Sequence, residues 1–323
     1  MRKLLLISLT VWPVSGQLPD FYKTVDRMSW VVSDLDRATQ GWSKLGFVRI
    51  EAPREMDLPE VQYRGRPAAV KIRVASGFLG DLRVNWIQPL GGQNAYTEFL
   101  KRHGDGVFSL VHRVPTLEAF NKELERLRGL GVDVLQHVAV ADGSVHYAYL
   151  DTAAQGKYAL GLVYVAPGLE GDPPPSGTKI SQFAFVARDP KAVSVFWEKL
   201  GFPAMTFTHG AMRDLRYRGK PGQFDQELGW QRQGKVAYEW IRSLKGPNVY
   251  EDHLKVHGEG IQHLGLPVED MDKAIAAWGK AGFAVAQSGA WGEEGKKGSG
   301  RFAYIDTDPI GGLTIELLWS FRP

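Results

Sequence analysis

The chain has 323 residues and no cysteine, with 44% hydrophobic residues, 23% charged residues and a formal charge of +3. This is enough chain for two domains and enough apolar residue to bury a core, which excludes disordered, collagen-like and membrane-spanning classes. The absence of cysteine excludes disulfides, thiolate metal sites, iron–sulfur clusters and cysteine nucleophiles.

Residues 1–16 combine a basic start at Arg2 and Lys3, an apolar stretch from Leu4 to Trp12, and small residues at Val14 and Gly16. They predict a secretory signal and a periplasmic or secreted mature protein. The apolar stretch is too short to span a bilayer. Without this leader, 37 basic residues face 36 acidic ones. No Lys/Arg cluster of the kind that tracks phosphates occurs, so neither nucleic acid nor a membrane is an expected partner.

Four later segments share one pattern: an apolar strand, a polar turn, then an amphipathic helix ending near glycine. They begin at Met28 (MSWVVSDLDRATQGWSKLGF), Phe108 (FSLVHRVPTLEAFNKELERLRGLGV), Gln182 (QFAFVARDPKAVSVFWEKLGF) and His263 (HLGLPVEDMDKAIAAWGKAGF). Asp34, Thr116, Asp189 and Asp270 stand where a side-chain oxygen can cap the helix start. The residues after each helix read as strands, for example FAYIDTD from Phe302 and LTIELLWS from Leu313. The unit is therefore β-α-β-β-β, about 70 residues long and present four times.

The two halves are duplicates. YRGRP at Tyr63–Pro67 returns as YRGKP at Tyr217–Pro221, and the segment from Asn85 returns from Glu239, both at an offset of 154. Trp86/Trp240, Tyr96/Tyr250, Leu100/Leu254 and His103/His257 are identical pairs. Between the halves runs APGLEGDPPPSG, Ala166–Gly177, read as a Pro/Gly-rich linker with little to pack. The expected organisation is a leader at 1–16, a module pair at 22–166, a linker at 167–177 and a second pair at 178–323.

The strand openings and the ending AYIDTDPIGGLTIELL, Ala303–Leu318, resemble the vicinal oxygen chelate superfamily, which includes glyoxalase I, methylmalonyl-CoA epimerase, bleomycin-resistance proteins and extradiol dioxygenases. The resemblance spans residues 22–321. It implies an α+β fold in which paired modules form cup-like mixed sheets, with a divalent metal held by residues of the first and last strand of each module. Counting to those positions gives Arg27, Asn85, Ser109 and Gly161 in the N-terminal half, which an arginine and a glycine make unsuited to a metal. The same count gives Gln182, Glu239, His263 and Glu316 in the C-terminal half, where two carboxylates, an imidazole and an amide oxygen suit one divalent cation. Zinc is the first choice, and Ni, Co, Mn and Fe remain open.

This donor set is similar to that of zinc-type glyoxalase I, which implies Glu316 as the catalytic base and Glu239 as its partner for the opposite face. The expected activity is chelation of a small molecule through adjacent oxygens, followed by proton abstraction beside a carbonyl, in the manner of an isomerase or lyase. Two alternatives stand beside it: an extradiol-type dioxygenase, which Gln182 in place of a histidine argues against, and a non-catalytic small-molecule binder that uses Arg27 for an anionic group. Four modules complete both cups within one chain, so a monomer or a homodimer satisfies the fold. His103 and His257 read as turn residues because they recur in both halves. His112 matches no ligand position, His209 and His253 read as surface, and Trp42, Trp197 and Trp278 as core.

Overall fold

The computed structural model describes residues 18–322 apart from Lys235, so the expected leader lies outside the described residues. The architecture is α+β, with strands between Arg27 and Val165 forming one mixed sheet and strands between Gln182 and Ser320 a second. Among the described residues, no helix is long and apolar enough to cross a membrane.

The four expected helices start at their expected caps. Asp34 accepts from the Arg37 N–H at 2.9 Å, Thr116 from Ala119 at 3.0 Å, Asp189 from Ala192 at 3.1 Å and Asp270 from Lys273 at 3.0 Å. Two further helices, Ala95–His103 and Val249–Val256, were not among the predicted elements; Asn94 and Asn248 cap them. They account for the repeated Tyr-Arg-Gly motif. Arg64 and Gly65, like Arg218 and Gly219, take positive φ at the centre of a two-residue hairpin turn. Each arginine lies 5.5 Å over the preceding tyrosine ring and reaches an acid of the new helix, Glu98 at 3.0 Å or Asp252 at 2.8 Å.

Period-two alternation sorts the strands into two faces. Met28, Trp30, Phe183, Phe185, Leu264, Ile315 and Leu317 join one apolar cluster that takes in the four helices expected from sequence and spans both halves. Trp42, Trp197 and Trp278 are all buried in it. Trp42 donates to Ile310 O at 3.1 Å, Trp30 to Gly311 O at 2.6 Å and Trp197 to Gly156 O at 3.3 Å, each across the halves. His103 and His257 complete the join reciprocally: each Nδ1–H donates to the other residue's carbonyl at 2.7 Å.

The other face of each sheet lines a cup, and the cups differ. In the N-terminal half, eight strands pair in a closed ring: Arg27–Val31, Leu82–Gly91, Arg66–Leu79, Arg54–Tyr63, Val134–Val140, Val145–Leu150, Ala159–Val165 and Gly106–Arg113. In the C-terminal half, Met212–Tyr217 pairs with Val285–Trp291 but not with Asp225–Gln233, so that ring stays open.

The linker departs from its expected role. Rather than running free, it sends Glu170 into the N-terminal cup, where Arg27, Arg83 and Arg113 converge on the carboxylate. The cause is electrostatic, since three arginines on neighbouring strands leave a partly buried cationic patch that needs an anion.

Candidate metal centre

Strand register makes the two halves superimposable position by position. Asn85 stands opposite Ser29 and Glu239 opposite Ala184, in parallel pairs. Gly161 stands opposite Val111 and Glu316 opposite Gly265, again in parallel pairs. The positions counted from sequence are therefore equivalent in space.

In the C-terminal half the four candidates converge. Gln182, Glu239, His263 and Glu316 are 5%, 6%, 0% and 5% exposed, so water does not solvate their charges. The Gln182 amide lies 2.5 Å from Glu239 Oε2, 3.2 Å from Glu316 Oε2 and 3.4 Å from His263 Nε2. His263 Nε2 lies 3.4 Å from Glu239 Oε2 and 3.2 Å from Glu316 Oε2. One donor atom each from Glu239, His263 and Glu316 falls within 4.8 Å of the others.

The electrostatics ask for a cation. Burial raises the Glu239 carboxyl above its ordinary range and the charge of Glu316 adds to this, while His263 pulls the other way. Burial pushes His263 down, but the two carboxylates facing it outweigh burial and lift the ring to about 9. Without another cation, the imidazolium supplies the positive charge between two buried carboxylates, the place a divalent ion would take. On this observation, the chemistry of the donor set fits a divalent metal. Two groups not singled out in the sequence support it. Gln262, also buried, accepts from His263 Nδ1–H at 2.7 Å, which aims Nε2 at the carboxylates. The Tyr304 ring meets the His263 ring edge-on at 4.9 Å, and its hydroxyl bonds that of Tyr250 at 2.8 Å. Gln262 could have been found from its place beside a strand histidine, and the tyrosine pair from its recurrence as Tyr96 and Tyr149.

The N-terminal positions are engaged otherwise. Arg27 pairs with Glu170, and Asn85 Nδ2 donates to the Tyr147 hydroxyl at 3.4 Å. Ser109 Oγ lies over Gly161, where an added Cβ would come within 2.5 Å of it and 2.7 Å of Val111 Cγ2. No side chain fits at the position that carries Glu316 in the other half.

Of the remaining histidines, His209 is exposed, 2.9 Å from Asp225. His112 is fully buried, donates from Nδ1–H to Thr24 O at 2.7 Å, and is held neutral by burial, which lowers it to about 4. His253 corrects the surface reading: it is buried on the inward face of Val249–Val256 with Val249 and Tyr250, and burial lowers it to about 3. Its ring clusters with that of His257 and the carboxylate of Asp308, a group distinct from Glu239, His263 and Glu316.

The family of the chain follows from comparison with known proteins. The family model described as "Glyoxalase/Bleomycin resistance protein/Dioxygenase superfamily" matches residues 26–149 and again 181–304. The chain belongs to this superfamily. Among solved structures, a triple mutant of 4-hydroxymandelate synthase from Streptomyces coelicolor is similar with a TM-score of 0.63 and 16% identity, covering 93% of both chains. A fusion of a xylose isomerase-like TIM barrel with 4-hydroxyphenylpyruvate dioxygenase is similar at 0.52 and 14%, covering 94% of this chain and 50% of that one. The Mn(II)-bound glyoxalase from Novosphingobium aromaticivorans stands at 0.49 and 12%, covering 93% of this chain and 83% of that one. At these identities the likeness is one of fold.

Proposed function

We propose that the C-terminal cup is the active site of a metalloenzyme that removes a proton beside a carbonyl of a chelated small molecule, an isomerase- or lyase-type reaction. The observation that carries the reading is the burial of two carboxylates around one imidazole and one amide at mutual distances of 2.5–3.4 Å. Gln182, Glu239, His263 and Glu316 would hold one divalent metal, zinc first, with Gln182 binding through its amide oxygen. When bound, the metal supplies Lewis-acid polarisation of the substrate's adjacent oxygens, which makes the neighbouring C–H more acidic.

The chain's own residues do the rest. Gln262 fixes the His263 ring so that Nε2 faces the centre. Glu316 accepts the substrate proton on its carboxylate and returns it to the neighbouring carbon, with Glu239 placed to serve the opposite face. Burial raises the Glu239 carboxyl, which strengthens that group as a proton acceptor. The outward faces of the same strands are locked into the apolar cluster, so the carboxylates sit on a rigid frame. The dioxygenase reading is less well supported by the donors, because a facial triad uses two histidines and one carboxylate, and this cup brings one histidine and two carboxylates.

The test is elemental analysis of protein purified without a His tag, beside a His263→Ala/Glu316→Ala double variant, followed by assays on 2-oxoaldehyde–thiol adducts and acyl thioesters. One zinc, nickel, cobalt or manganese per chain, lost in the double variant, supports the assignment. Iron with ring-opening activity would transfer it to the dioxygenase class, and no metal under replete conditions would leave a binding protein.

A further inference from the structure

The N-terminal cup encloses a cavity of about 860 Å³, large enough for a drug-sized small molecule. Its walls carry apolar side chains from several strands, among them Leu58, Ile72, Val74, Ile87, Val138 and Val140. Against these stands one concentrated positive charge. The Arg27 side chain is 3% exposed, a burial that a guanidinium tolerates when matched by anions and hydrogen-bond acceptors. The barrel supplies part of that match: Asp26 accepts from Nε at 2.7 Å and the Tyr147 hydroxyl accepts from one terminal nitrogen at 2.7 Å. The remaining donor capacity of its two terminal nitrogens is met by neither sheet nor helix.

It is met by the linker. Glu170 lies in an irregular stretch between Gly168 and Gly171, and its two oxygens take the two nitrogens at 2.9 and 2.6 Å. This is the fork-on-fork geometry in which a guanidinium binds any carboxylate. Arg113 also pairs with Glu170, and Arg83 stands 3.6 Å away with its NH1 buried and without a hydrogen-bond partner. The cationic edge therefore has donor capacity beyond what Glu170 takes up. Leu169, Gly171, Asp172 and Pro174 line the same cavity, so the carboxylate reaches the arginines on a strap laid across the cup.

We propose that the N-terminal cup is a second small-molecule site, for a monocarboxylate with an apolar body, and that Glu170 occupies its carboxylate subsite as a tethered competitor. The apolar walls take the body of the ligand, Arg27 takes its carboxylate in place of Glu170, and the strap lifts as the ligand enters. This site is separate from the metal centre and does not depend on the reading given to that centre. A tethered carboxylate acts at an effective concentration near the millimolar range, so the wild-type chain binds weakly and loss of the competitor exposes the site.

Isothermal titration of the full chain with its metal, using 4-phenylbutyrate and its neutral amide, tests this. The expected result is that Glu170→Ala binds the acid at least tenfold more tightly than wild type, that the amide does not bind either protein, and that Arg27→Met abolishes binding of the acid. The acid–amide contrast keeps the test decisive if the Arg27 variant does not fold. Equal affinity for acid and amide, an affinity untouched by Glu170→Ala, or no binding of the acid to Glu170→Ala at millimolar concentration would each overturn the proposal. Binding that vanishes instead in His263→Ala/Glu316→Ala would place the acid in the other cup and count against it.

Discussion

The two halves share strand register, helix caps and the tyrosine–arginine clasp, yet they solve opposite electrostatic problems. The N-terminal cup buries a cation, Arg27, and closes on an anion drawn from the linker. The C-terminal cup buries two anions, Glu239 and Glu316, around an imidazole that burial alone would keep neutral. The frames differ as well, since the eight-strand ring closes in the first half and stays open in the second. The comparison teaches that outward-facing residues of these strands specify the fold, whereas the inward residues, one in every two, decide which sign of charge the cup will accept. One duplicated frame thus carries two cups of opposite buried charge.

The sharpest way to break the comparison is at Glu316 and its counterpart. Glu316→Gln keeps the shape of the side chain and removes the proton acceptor, so turnover is expected to fall by about 10²–10⁴-fold, while a neutral ligand is still held. Single-turnover assays with parallel binding measurements check this, and unchanged turnover would end the catalytic role of Glu316. The reverse experiment, Gly161→Glu, asks whether the N-terminal cup can be converted. A Cβ there meets Ser109 Oγ and Val111 Cγ2 at under 3 Å, and the equivalent neighbouring positions hold Arg27, Ser109 and Asn85 in place of an amide, an imidazole and a second carboxylate. The expected cost is about 1–3 kcal/mol from overpacking with no metal gained, read by denaturant titration and elemental analysis.

A smaller effect separates the cups by pH. Burial raises the Glu170 carboxyl, but Arg27 and Arg113 more than reverse this and hold it at about 2. Its value in the unfolded chain is about 4.3. Because the folded value is the lower one, the pairing stabilises fully above about pH 5 and is lost as pH falls towards 2. Wild type should exceed Glu170→Gln by on the order of 2 kcal/mol at pH 7, allowing for partial exposure of the carboxylate, and the gap should close on acidification. A gap that stayed constant with pH would mean that Glu170 acts by shape and not by charge.

Much of this was legible in the sequence, and what was not has a physical reason. The capped helices were legible because Asp34, Thr116, Asp189 and Asp270 each stand one position before an amphipathic run. The convergence of Gln182, Glu239, His263 and Glu316 was legible because the family resemblance pointed to the first and last strand of each module and the duplicated chain carries an internal ruler for counting to those positions, which register converts into equal places in space. The helices at Ala95–His103 and Val249–Val256 were missed because their sequence stood out as a repeat before it stood out as a helix, although Asn94 and Asn248 carry the capping signal. His253 was misplaced for the same reason: its burial follows from the spacing of Val249, Tyr250 and His253 on a helix that had not been recognised. The role of Glu170 was beyond local reading, because a carboxylate in a Pro/Gly-rich linker finds its partners 57, 87 and 143 residues away.

The smallest predicted difference lies where the halves touch. His103 and His257 make the same bond, Nδ1–H to the other's carbonyl at 2.7 Å, but His257 alone has a carboxylate on its second nitrogen, Asp308 at 2.9 Å. Burial lowers His257, and Asp308 with the His103 carbonyl more than compensates, so the ring ends above its ordinary value. A group raised on folding contributes below its unfolded value, near pH 6.5, and its contribution fades as pH rises through the folded value. His257→Ala should therefore cost more than His103→Ala at pH 6 by under about 1 kcal/mol, since Asp308 is 41% exposed and screened by solvent. At pH 8.5 the two variants should converge, because only the shared carbonyl bond then remains to be lost. Denaturant midpoints for both variants at the two pH values decide the matter. Equal costs at pH 6 would show that the pair works through its symmetric bonds alone, and that here, unlike in the cups, duplication has left the two halves the same.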